Sequence, residues 1–138
     1  MVKRVHAVGV ILENTKGQIL VLRRHPQSYE GGTWGLVGGK VELGENKVVA
    51  IVREVQEEIG YKIDSTKLRY LKTYKWNHEI PNITFEAFKY ADLIKHIHVN
   101  LDPDEHTQHL WELPEELYRR KNLMVGLYPL LEDVYQVK

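Results

Sequence analysis

The 138-residue chain contains no cysteine, which excludes disulfides, thiolate metal sites and cysteine nucleophiles. It also lacks charge of one sign: nineteen Lys plus Arg balance nineteen Asp plus Glu. With no global basic field, polymeric nucleic acid is not an expected partner, and with no acidic block there is no charge-driven tail. An anionic substrate would have to be met locally, by metal ions or a few placed cations. Long apolar runs are missing as well. The N-terminal apolar stretch breaks at Glu13 and Asn14, too short for a signal peptide and far too short for a membrane span. The expectation is a soluble, cytoplasmic protein with no membrane partner. Repeats, low-complexity segments and Pro/Ser-rich linkers are absent, so one domain over residues 1–138 is expected, with 43% hydrophobic residues to build its core.

What is present alternates between two periodicities. Residues 2–12 are apolar and β-branched and predict a buried strand. Asn14 to Gly17 reads as a hairpin turn, with a returning strand over 19–22. Six glycines (Gly31, Gly32, Gly35, Gly38, Gly39 and Gly44) crowd residues 31–44, and that density predicts a loop with unusual backbone angles or close contacts. Residues 46–59 carry the strongest helical signal, closed by Gly60 as a C-terminal cap. Strands are expected over 68–76, 83–90 and 109–113, a short helix from Pro114, and a final amphipathic helix over 124–136. Strands separated by a helix, with helices at the end, predict a mixed β-sheet between helices, an α/β arrangement.

On a wheel of about 100° per residue, Val48, Val52, Val55 and Ile59 form a narrow apolar stripe with Ile51 at its edge, while Glu54, Glu57 and Glu58 share a different face. Glu54 is i,i+3 from Glu57 and i,i+4 from Glu58, so the three carboxylates are neighbours. Like charges at these spacings repel by a few tenths of a kcal/mol per pair, and negative charge in the last turns opposes the helix dipole. Arg53 relieves part of this through an i,i+4 pair with Glu57 but cannot satisfy three carboxylates. A divalent cation with a preference for oxygen could. An acidic helix face by itself is usually a wet surface; the glycine-dense segment feeding into this helix sets it apart, because such segments let backbone approach phosphate or offer carbonyls to a metal.

Gly39, five residues, Glu45, seven residues, then Arg53-Glu54-Val55-Gln56-Glu57-Glu58-Ile59-Gly60-Tyr61 resembles the box of the Nudix hydrolases, G-x5-E-x7-R-E-U-x-E-E-x-G-U with U a bulky aliphatic. Every glycine, arginine and glutamate of that pattern is present over residues 39–61. Tyr61 stands in place of the last aliphatic, and Val37 where many members carry proline. Trp34 to Glu42 looks like the usual entry to the box, and Trp111 to Leu117 is similar to the family's closing strand and short helix. The wording of the box is most similar to the nucleotide-cleaning, mutator-type branch.

The resemblance implies an α/β/α sandwich and metal-dependent hydrolysis of a diphosphate linkage in a nucleotide or other nucleoside diphosphate derivative. A nucleoside triphosphate is the first expectation, ADP-ribose or another nucleoside diphosphate sugar the alternative. The implied cofactor is Mg²⁺, with Mn²⁺ as a substitute, and family habit implies a homodimer. Glu57 and Glu58 would be metal ligands with the Gly38 carbonyl, Glu54 a ligand or the base that activates water, and Arg53 the residue that orients the glutamates. Glu45 would hold the loop–helix junction, with Gly39 and Gly60 structural. Many members supply a further carboxylate from a later loop; Asp102, Asp104 and Glu105 lie in such a segment and Glu105 is the choice, against a solvated acidic turn after Pro103. Arg23 and Arg24 end a strand and point in opposite directions, and Arg23 is taken as a phosphate contact against the alternative of a surface cation. Trp76 and His78, flanking a turn, are candidates to contact a base. His6, His96, His98, His106 and His109 have no zinc-like spacing. An isopentenyl diphosphate isomerase is set aside because its chemistry uses a cysteine, and a non-catalytic nucleotide sensor because such modules typically lose box glutamates, all of which stand here.

Overall fold

A computed structural model describes residues 4–76 and 82–138. Six strands form one mixed sheet: β1 (Arg4–Ile11), β2 (Ile19–Arg24), β3 (Trp34–Lys40), β4 (Leu68–Trp76), β5 (Asn82–Tyr90) and β6 (His106–Glu112), in the order β4-β5-β1-β3-β2-β6. β1 and β5 are parallel, and the other neighbours run antiparallel. Helix α1 (Lys47–Ile59) covers one face; α2 (Pro114–Tyr118) and α3 (Leu127–Tyr135) cover the other. This is the α/β/α sandwich the sequence implied.

Period-two alternation sorts the strand residues between the two cores. Val8, Val10, Leu20 and Leu22 pack with Ile51, Val55 and Ile59 of α1. Their alternates Ile11, Ile19 and Val21 pack with Leu117, Leu127, Leu130 and Leu131 of α2 and α3. Asn46 caps α1, its side chain accepting from the Val48 N–H at 2.8 Å, and Gly60 closes it at φ 71°. Lys47, in the first turn, reaches Glu86 of β5 at 2.8 Å, and His6 of β1 meets the same carboxylate at 2.5 Å, which ties the helix start to the sheet. Among the described residues, no helix is long and apolar enough to cross a membrane.

Three sequence-based expectations are corrected. The glycine-dense segment is not all loop: Trp34–Lys40 is strand β3. It changes partner along its length, pairing with β2 through Trp34, Gly35 and Leu36 and with β1 from Val37 to Lys40. The last helix begins at Leu127 rather than 124, because Met124 donates its N–H to the Trp34 carbonyl at 2.8 Å and extends the edge of β3. β6 begins at His106 rather than 109, paired with Arg24 across a bulge between Arg23 and Arg24. His78 lies outside the described residues.

Candidate functional site

Strand β3 supplies the floor of the site. A Cβ on Gly38 would run into the Val8 carbonyl oxygen and come within 2.7 Å of Gly9 Cα, so only glycine lets β1 and β3 approach here. A Cβ on Gly39 would lie 2.5 Å from the Glu54 carboxyl carbon. The space left at Gly39 is filled by Glu54 of α1, and that at Gly38 by the backbone of β1.

That changes the expected exposure of the glutamates. Glu58 is 3% exposed and Glu54 9%, while the Glu57 side chain is 59% exposed. The wheel placed all three away from the apolar stripe, and the structure buries two of them because the helix faces bare backbone at β3. Val48 and Val52, on the expected stripe, are only partly buried. β2 pairs with β3 only as far as Leu36, and the Gly38 N–H beyond it is donated to Glu58 Oε1 at 2.8 Å.

Arg53 organises the rest. Its Nε and Nη2 donate to the two Glu45 oxygens, each at 2.8 Å, and Nη2 also donates to the Lys40 carbonyl at 3.0 Å. Nη1 donates to Glu54 at 2.8 Å and Glu57 at 3.2 Å. The bidentate pair holds Glu45 down to a pKa of about 2, through its hydrogen bonds with Arg53 first and with the Glu42 backbone second. Glu45 thereby ties the turn before α1, through the Glu42 N–H, to Arg53 on the helix.

The later acidic segment folds onto the same place. Oxygens of Glu58 and Glu105 and a ring nitrogen of His106 lie within 4.8 Å of one another. Backbone pairing puts them there: His25 N–H donates to the Glu105 carbonyl at 2.8 Å, and His106 pairs with Arg24. Burial pushes the Glu58 carboxyl well above the usual carboxylate range; the Gly38 N–H opposes this, and the charges of Glu54 and Glu105 add to it. Burial also raises Glu54, against the pull of Arg53. His106 is pushed down to about 4, by burial first and then by the Arg24 charge. A buried carboxylate whose neighbours are carboxylates is short of positive charge, and oxygen donors beside an unprotonated imidazole match a divalent cation. The residues therefore fit a metal ion.

The other candidates are distributed more widely. Arg23 donates to the Gly32 carbonyl at 3.1 Å and to Gln108 at 3.3 Å and lies 6.0 Å over the Trp34 ring; it is Arg24 whose charge acts on Glu58 and His106. Trp76 stacks on Tyr74 at 6.0 Å between centroids and lies against Gly126, beside the start of α3 and on the face opposite α1. Sequence reasoning missed His106, having searched for zinc-like spacing. Its adjacency to Glu105 was the available signal; its place at the start of β6 follows from pairing with β2.

Residues 3–134 match the NUDIX domain family. The CTP pyrophosphohydrolase of Escherichia coli (strain K12) is 34% identical over 130 residues, covering 94% of this chain and 90% of that protein. An 8-oxo-dGTP diphosphatase of Proteus vulgaris is 33% identical over 86 residues, 62% of this chain and 75% of the relative. The crystal structure of the MutT protein from Methanosarcina mazei Go1 superposes with a TM-score of 0.83 over 95% of this chain and 92% of its own at 24% identity, a likeness of fold.

Proposed function

The chain belongs to the Nudix family, enzymes that hydrolyse diphosphate linkages in nucleotide derivatives, and we propose that its substrate is a nucleoside triphosphate, cleaved by water to the monophosphate and pyrophosphate. The convergence of Glu54, Glu58 and Glu105 beside the glycines of β3 carries this reading. The relatives named for CTP and 8-oxo-dGTP support the substrate class.

In this reading Glu54, Glu57, Glu58, Glu105 and the Gly38 carbonyl hold the ion, with Mg²⁺ the working metal and Mn²⁺ its substitute. The bound ion neutralises phosphate oxygens and lowers the pKa of water. The chain's own residues do the rest. Arg53 fixes Glu54 and Glu57 so that no reorganisation is needed when charge develops. An oxygen of Glu54 or Glu58 left free of the ion takes the proton of the attacking water. Arg24, whose charge acts on Glu58 and His106, offers its guanidinium to phosphate, whereas Trp76, across the sheet from α1, takes no part. Since such substrates belong to the cytoplasmic nucleotide pool, we assign the protein there. Light scattering tests the homodimer.

The test is a panel of nucleoside triphosphates, diphosphate sugars and dinucleoside polyphosphates incubated with protein and Mg²⁺ or Mn²⁺, products separated by mass. Release of pyrophosphate and monophosphate, abolished by chelator, supports the proposal. Cleavage confined to ADP-ribose or another diphosphate sugar would replace it with the alternative. No turnover, with nucleotide-dependent thermal stabilisation, would point to a sensor.

A further inference from the structure

His106 is 5% exposed, and its Nδ1 is the buried side-chain atom that, among the described residues, has no hydrogen-bond partner. Buried polar groups are almost always satisfied, and an exception calls for a partner that is not protein. Glu58 Oε2 lies 3.7 Å away, beyond hydrogen-bonding range. The buried, unpartnered Nδ1 therefore stands beside Glu58 in a group that also holds a Glu105 oxygen within 4.8 Å.

We propose that His106 Nδ1 is a ligand of the divalent ion held by Glu58 and Glu105, making this a mixed nitrogen–oxygen site that binds Mn²⁺ and Co²⁺ more tightly than Mg²⁺. The proposal rests on the reading of this cluster as a metal centre. On an octahedral ion with bonds of about 2.1 Å, neighbouring donors are about 3.0 Å apart and opposite donors about 4.2 Å. The 3.7 Å between Nδ1 and Glu58 falls between these, so side-chain adjustment of less than an ångström suffices. The strand pairing of His106 with Arg24 fixes its backbone, and its side chain is buried beside Glu58. An imidazole donor shifts preference along the first-row series toward the transition metals, whereas carboxylates and carbonyls alone suit Mg²⁺.

The experiment uses the full chain, labelled with ¹⁵N in its histidine rings and loaded with Mn²⁺ without nucleotide. Pulsed electron paramagnetic resonance should detect an imidazole nitrogen coupled to Mn²⁺. H106Q and H106N, checked for native circular dichroism, should lose that coupling, and calorimetry should find their Mn²⁺-to-Mg²⁺ affinity ratio lowered by about tenfold. Should both variants misfold, the long-range ¹H–¹⁵N spectrum of the Zn²⁺-loaded wild-type protein assigns the bound ring without substitution. Mn²⁺ bound with no nitrogen coupling would overturn the proposal while leaving metal-dependent hydrolysis standing. Coupling that survives in a folded H106Q would overturn it in favour of another histidine. Failure of the wild-type protein to bind Mn²⁺ at all would overturn both this and the hydrolase site it rests on.

Discussion

Gly38 and Gly39 are adjacent, and the structure predicts opposite consequences for the same substitution at each. In Gly39→Ala the new methyl would sit 2.5 Å from the Glu54 carboxyl carbon and from Oε2, and 2.6 Å from Oε1, where ordinary contact begins at 3.4 Å. The obstacle is the end of a flexible side chain, anchored by one 2.8 Å bond to Arg53. The carboxylate retreats, the backbone stays, and the cost to stability is about 1 kcal/mol. A displacement of about 1 Å in a catalytic group lowers turnover about 100-fold. In Gly38→Ala the methyl meets the Val8 carbonyl and Gly9 Cα, backbone that cannot retreat without opening the β1–β3 ladder. That substitution belongs at the upper end of overpacking costs, about 3 kcal/mol, a large share of a typical total of about 5–15 kcal/mol, and lowers Tm by roughly 10 °C. Thermal unfolding of the metal-free proteins and kcat at saturating substrate and Mn²⁺ separate the two. A Gly39→Ala enzyme with native kcat would refute the claim that the bare floor sets the position of Glu54. A Gly38→Ala protein melting within a degree or two of the native one would refute the steric account of β3.

Glu58→Gln keeps an oxygen for the Gly38 N–H and should lower kcat about 10²- to 10³-fold, several kcal/mol of lost charge stabilisation. Because the folded pKa of Glu58 lies above the ordinary 4.5, its ionisation costs stability from about that pH upward; the metal-free variant should melt above the native protein at pH 8 and alongside it at pH 4, and a lower Tm at pH 8 would mean that Glu58 is held as a stabilising charge. Glu45 has the opposite sign: with a folded pKa of about 2, its pair with Arg53 stabilises fully above the ordinary value and is lost as pH falls toward 2, so Glu45→Gln should flatten the acid limb of the stability curve, and parallel curves would contradict the assignment. Arg53→Ala should lower both Tm and kcat, the latter at least about tenfold; Arg53→Lys should recover little, since an ammonium cannot bridge Glu45, Glu54 and Glu57 at once, and full recovery in kinetics would reduce Arg53 to a point charge.

Much of the framework is local and was legible. A β-branched apolar run marked β1 and the hairpin turn after it marked β2; β4 runs from Leu68 to Trp76 as expected, and the helix from Lys47 to Ile59 follows its cap at Asn46. Of the three late acids, the described structure puts a Glu105 oxygen in one group with Glu58 and His106. Other features depend on partners distant in sequence. Glycine density reads as loop when only neighbours along the chain are considered, yet β3 is a strand because β1 and β2 supply its hydrogen bonds. Arg23 and Arg24 alternate in any strand, but only the bulge opposite β6 decides that Arg24 shares a site with His106.

The sequence by itself determined the spacing of the box and the proximity of Glu54, Glu57 and Glu58 to one another, because a helix repeat of 3.6 residues converts spacing directly into distance. Tertiary structure decided which of those carboxylates is buried, and so which is costly to ionise without a counter-ion. Burial is a property of the facing surface: Glu54 fills the space a side chain at Gly39 would take and Glu58 accepts from the Gly38 N–H, so both lose water while Glu57, one step around the helix, keeps it. It also decided that an imidazole some fifty residues away would complete the group, since strand register, set by hydrogen bonds between β2 and β6, carries no trace in the local pattern around His106.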